Sequence, residues 1–149
     1  MIIAYSKSSR AEHGVSLLES LVATLVAGLI MGGVLTGFMQ CMHQADWSSL
    51  SLAADGLALQ GLEQTRAAKW DRWASPPADL LISSNFPPNV QILDVPVSQT
   101  NLVYATNFTS IVAITTNPPL RLVRVDCVWR YTGRGLFTNT LVTYRAPDQ

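Results

Sequence analysis

The hydrophobic positions of this chain change their rhythm twice. From Val15 to Met39 apolar residues run almost unbroken, with Ser, Thr and Gly among them and a single ionisable group, Glu19. A helix on the surface of a soluble domain would show a polar face, and this run shows none. At about 1.5 Å per residue it would reach roughly 37 Å, more than a hydrocarbon core of about 30 Å, which predicts a transmembrane helix. Beyond Gln40 the spacing becomes helical and one-sided. Trp47, Leu50, Ala54, Leu57 and Gly61 recur at intervals of three and four, and Leu59, Leu62, Trp70 and Trp73 widen the apolar face. Asp46, Asp55, Glu63, Arg66, Lys69 and Asp71 supply the polar side, with Glu63 and Arg66 spaced to pair. Ser75-Pro76-Pro77 cannot continue a helix. The pattern therefore predicts one helix from about Val15 to about Ala74, on the order of 90 Å long.

After Ala78 the period shortens to two. Residues 90–95 and 108–115 are rich in β-branched side chains, and Leu120 to Tyr131 alternates most cleanly. Val123, Val125, Cys127 and Trp129 would share one face of that strand, with Arg124, Asp126, Val128 and Arg130 on the other. Asn117-Pro118-Pro119 breaks the chain before it. Thr132-Gly133-Arg134-Gly135 reads as a turn, and Leu136 to Arg145 then pairs back as a hairpin. The expected class is α+β: a long N-terminal helix whose second half carries a small C-terminal antiparallel sheet. About 75 residues make a thin core, so the helix must supply much of the buried surface.

Composition narrows the function. Charged residues are 13% of the chain, about half the usual share, and the formal net charge is zero. Such a surface favours association over a free monomer and gives no field for nucleic acid or an anionic membrane. Cys41 and Cys127 form no C-x-x-C pair, and with only His13 and His43 beside them a zinc site is not expected. A Cys41–Cys127 disulfide stays open. Gly133-Arg134-Gly135 is too short for a phosphate loop, no Ser, His and Asp are grouped for nucleophilic catalysis, and Asp94 and Asp126 lack the company a calcium loop needs. Arg121, Arg124, Arg130 and Arg134 could line a mild basic strip, or simply a solvated sheet face. Asn107-Phe108-Thr109 matches a glycosylation sequon, a frequent chance hit. Trp70 and Trp73 fit core packing better than ligand contact. No catalysis, cofactor, metal or small-molecule substrate is expected.

Lys7 and Arg10 precede the apolar run, so its N-terminal end should stay in the cytoplasm and the rest be exported. The run is longer than the apolar region of a secretory signal, normally about 7–15 residues, and Gly-Phe-Met-Gln-Cys at its end makes a poor cleavage site. Glu19 has two readings. Lying one turn past Val15, it can reach the interface and favour the positive end of the helix dipole. Alternatively it pairs with a cation inside a helix assembly.

Gly14-Val15-Ser16-Leu17-Leu18-Glu19 resembles the processing motif of type IV prepilins and pseudopilins: a short basic leader ending in Gly, a hydrophobic residue, a small hydroxyl residue, an apolar pair, Glu, then a long apolar helix. The resemblance implies a leader at residues 1–14, a transmembrane or filament-core half at 15–40, an amphipathic half at 41–74 and a sheet domain at 75–149, the pilin fold. It implies cleavage between Gly14 and Val15 by a prepilin peptidase, N-methylation of Val15, and pairing of Glu19 with a neighbouring subunit's N-terminal amine. The implied partners are that peptidase, other pilin or pseudopilin subunits, an inner-membrane assembly platform and lipid. The implied location is the bacterial inner membrane, single-pass, with the C-terminal domain in the periplasm, and then the filament. Val15 stands where the family often has Phe or Met. The helix lacks the proline of many major pilins and carries Gly28, Gly32, Gly33 and Gly37, whose two G-x-x-x-G spacings suit close helix packing. Ala53-Ala54 and Leu57 to Glu63 are similar to a stretch in minor subunits. The expected function is a minor structural subunit of a type II secretion pseudopilus or a type IV pilus. The rival expectations are a DNA-binding minor pilin for DNA uptake and an unrelated single-pass membrane protein with an exported domain.

Overall fold

A computed structural model describes residues 16–94, 102–131 and 133–148. The order of elements is α1 (Leu17–Ala67), β1 (Trp70–Asp71), β2 (Ala78–Asp79), a 3-10 turn (Ser83–Asn85), β3 (Asn89–Asp94), β4 (Val103–Thr116), β5 (Pro119–Tyr131) and β6 (Gly135–Arg145). The class is α+β. The chain divides into two compact units between His43 and Gln44, and α1 contributes to both.

In the second unit β3, β4, β5 and β6 form one antiparallel sheet in chain order. Its long hairpin pairs put residues of equal parity side by side. Ala105, Trp129 and Phe137 line up across three strands, as do Asn107, Cys127 and Asn139, and then Thr109, Val125 and Leu141. These rows face the helix. Val123, Val125, Cys127 and Trp129 are all buried, as the period-two pattern requires. Each fully buried Val contributes roughly 1.5–3 kcal/mol. The Trp129 and Phe137 rings stack at 5.2 Å, and Trp47 meets Phe137 edge-on at 6.1 Å.

The helix answers with one stripe: Leu50, Ala54, Ala58, Gly61, Leu62 and Thr65 are its buried residues. Small side chains in the middle of the stripe let the sheet come close. A Cβ on Gly61 would lie 3.1 Å from Val125 Cγ1. Leu59, expected on the apolar face, is exposed instead. The Glu63–Arg66 pair forms at 2.6 Å with both side chains in solvent.

The helix ends at Ala67, seven residues short of the expected stop. Trp70 and Asp71 pair with Ala78 and Asp79 as a two-stranded sheet. Three contacts outweigh continued helix. The Trp70 N–H donates to the Asp148 carboxylate at 2.8 Å, the Trp70 carbonyl accepts from the Asp148 N–H, and the Leu80 N–H reaches the Lys69 carbonyl. Asp71 then accepts the N–H groups of Trp73 and Ala74, starting the turn that leads to the prolines. Trp70 is 3% exposed and packs in the core; Trp73 is 87% exposed and does not.

The helix C-terminus is closed from the sheet. Arg145, at the end of β6, donates one guanidinium N–H to the Thr65 carbonyl and another to Asp148 at 2.8 Å. A cation there complements the negative end of the helix and satisfies a carbonyl that has no partner within it.

Candidate functional site

Ser16 and Glu19 begin the described part of α1. Ser16 precedes the first helical residue, and its Oγ accepts the Glu19 backbone N–H at 3.2 Å, the bond of an N-cap. Ser16-Leu17-Leu18-Glu19 has the spacing of a capping box, and the Ser16 half of it is formed, a local role for Ser16 that the sequence reading passed over. The Glu19 side chain is exposed. Gly14 and Val15 lie outside the described residues.

Every residue from Ser16 to His43 is exposed, including Leu18, Val22, Leu25, Val26, Leu29, Ile30 and Phe38. Apolar side chains point to all sides of this stretch, and Glu19 is its single ionisable group up to Gln40. Its hydroxyls are already satisfied. Thr24 Oγ1 donates to the Leu21 carbonyl at 2.9 Å and Thr36 Oγ1 to the Gly32 carbonyl at 2.8 Å. In hydrocarbon such internal partners remove the penalty of a free hydroxyl. By length and composition the helix can cross a membrane. A Cβ on Gly28, Gly32, Gly33 or Gly37 would meet nothing within 4 Å. The space those glycines leave is open, and no described residue occupies it.

Two of the four strand and turn arginines, Arg121 and Arg124, are held in ion pairs. Arg121 binds Asp79 through two N–H···O bonds of 2.7 and 2.6 Å, donates to the Leu81 carbonyl, and lies 4.3 Å over the Trp70 ring. Arg124 is held by Asp126 at 2.9 Å. The hydrogen bonds from Arg121 keep the Asp79 carboxyl below its ordinary range. Burial alone would raise Asp126, but the bonds from Thr140 and Arg124 outweigh it and lower it. The Asp148 carboxyl is lowered first by the Trp70 N–H and then by Arg145.

Cys41 is exposed, Cys127 is buried, and both are free thiols. Burial, and next the charge of Asp55, push the Cys127 thiol up to about 11, so it is neither a nucleophile nor a ready oxidation partner. Among the described residues no group of three or more His, Cys, Asp or Glu side chains gathers where a metal could sit. The sequon is closed to modification: Asn107 is 8% exposed and its Nδ2 donates to the Leu57 carbonyl at 2.8 Å.

Two polar devices escaped the sequence reading. The Arg145–Asp148–Trp70 clasp is one. The other is Asn139, which accepts from Trp129 Nε1 at 2.8 Å and donates to Ser51 Oγ at 3.0 Å and Asp55 at 2.9 Å. It ties the sheet's inner face to the helix, and an isolated Asn in a strand carries no signal of that.

Compared with known protein families, curated proteins and solved structures, the chain matches none of them.

Proposed function

We propose that this chain is a pilin-like structural subunit, of the minor kind, in a type II secretion pseudopilus or a type IV pilus. A prepilin peptidase cleaves between Gly14 and Val15 and the new amine is methylated. The apolar half of α1 anchors the subunit in the bacterial inner membrane with its C-terminal domain in the periplasm, and later packs with other subunits in the filament core. One observation carries the reading: from Ser16 to His43 the helix leaves apolar side chains bare on every side, with one carboxylate near its head. Such a surface is stable in lipid or against like helices and not in water. Glu19 then meets a neighbouring subunit's N-terminal amine, which offsets the cost of an unpaired charge in an apolar setting. The ion pairs of Arg121 and Arg124 give the DNA-uptake reading no support.

The test is the intact mass of the protein from cells with and without a prepilin peptidase. With the enzyme the mass should fall by residues 1–14 and rise by one methyl group. A chain that still begins at Met1 overturns the reading and leaves an ordinary single-pass membrane protein. Glu19→Gln keeps a side chain that can close the capping box and removes the charge. It should leave helix content unchanged and abolish co-assembly; normal co-assembly would remove the pairing role.

A further inference from the structure

Beside the helix–sheet core lies a groove of about 250 Å³ whose lining is dominated by primary amides. Gln60 and Gln64 come from α1, Asn85 from the 3-10 turn, Asn89 and Gln91 from β3, and Asn107 from β4. No charged side chain lines it.

Asn107 is the buried member of the lining. Its Nδ2 donates to the Leu57 carbonyl, which can only accept, so the orientation of the amide is fixed. Its Oδ1 is buried and has no hydrogen-bond partner among the described residues. That oxygen is sealed from the groove, so the free amides of the other lining residues are the groups a ligand can reach. The side chains of Gln60, Gln64, Asn89 and Gln91 make no hydrogen bond to other described residues. Asn85 donates to the Leu80 carbonyl at 2.9 Å and keeps its oxygen available.

We propose that this groove binds a single sugar ring. The absence of charge in the lining leaves an ionic ligand without a counter-charge. Each free amide offers a donor and an acceptor side by side, and vicinal hydroxyls, which both donate and accept, match that arrangement. Half-buried Phe86, with Pro87 and Pro88, provides an apolar wall for the C–H face of the ring. The volume lies below the roughly 300–1,000 Å³ of sites for drug-sized ligands, so one ring is bound rather than a chain. The sugar is a ligand and not a substrate, and its binding does not depend on processing or assembly of the helix.

The experiment is a titration of the full ¹⁵N-labelled chain, followed by NMR. A zwitterionic detergent is needed, because a glycoside detergent would itself present sugar. Glucose, galactose, mannose and N-acetylglucosamine are added singly. At least one should give saturable shifts confined to the side-chain amides of Gln60, Gln64 and Gln91 and the backbone of Asn107. Gln64→Leu and Gln91→Leu, whose side chains bond no other described residue, should each weaken that sugar about tenfold with the remaining spectrum unchanged. Three results overturn the proposal: no saturable shift with any of the four sugars, wild-type affinity in both variants, or equal shifts with N-acetylglycinamide, which would assign the groove to peptide amides.

Discussion

At Gly61 one methyl group separates two opposed effects. Alanine in a helix interior is favoured over glycine by about 1 kcal/mol. A Cβ at this position, however, would press on Val125 Cγ1 at 3.1 Å, and Val125 is fully buried. Gly56, five residues earlier on the same helix, is exposed and its Cβ would meet nothing. The two glycines should therefore respond in opposite directions. Gly61→Val adds bulk the core cannot take and should destabilise the C-terminal unit by about 1–3 kcal/mol. Gly56→Ala should stabilise it by up to about 1 kcal/mol. Thermal unfolding of the two variants beside wild type, followed by near-UV circular dichroism, checks both. A rise in midpoint for Gly61→Val would mean that the close approach of helix and sheet is not what that glycine provides.

The end of α1 shows what a local pattern can and cannot carry. Trp70 and Trp73 keep the helical spacing, and no breaker appears before Pro76, so the sequence alone extends the helix to Ala74. The stop at Ala67 is set from far away, by Asp148 on the Trp70 N–H and by Arg145 on the Thr65 carbonyl. Pairings across 78 and 80 residues leave no periodic trace. The strands were legible because alternation is local: β5 runs from Pro119 to Tyr131, one residue longer than read, and its inner face is the expected one. The amide groove was not legible, since its members come from separate stretches that are each ordinary polar sequence. The clasp itself can be tested. Arg145→Met retains much of the apolar stem and removes both charged bonds. It should cost about 1.5–3 kcal/mol, the range for hydrogen bonds to charged groups. Native-state hydrogen exchange should speed up first in the last turn of α1, residues 63–67, and leave the amides of β4 and β5 near their original order. Uniform acceleration would show that Arg145 supports the whole fold rather than the helix end.

For the molecule as a whole, the first stretch of α1 is apolar enough to cross a membrane, and the described carboxylates with lowered pKa values all lie in the C-terminal unit. Its carboxylates Asp79, Asp126 and Asp148 are each held by an arginine, and each is lowered from its ordinary value. The native state therefore binds fewer protons than the unfolded chain as pH falls through the carboxylate range. Stability must rise with pH there, and the contribution is complete above the unfolded pKa, about 4. It is lost as pH drops through the lower folded values. The urea midpoint of the full chain in detergent should be flat from about pH 7 to about pH 5 and fall below about pH 4. Asp79→Asn tests the assignment. It removes a carboxylate that holds Arg121 over Trp70, so the variant should be less stable at neutral pH. It also removes one group that gains a proton on unfolding, so its acid slope should be shallower than wild type. An equal slope in the two proteins would place the acid sensitivity elsewhere and leave the Arg121–Asp79 pair as a contact without thermodynamic weight.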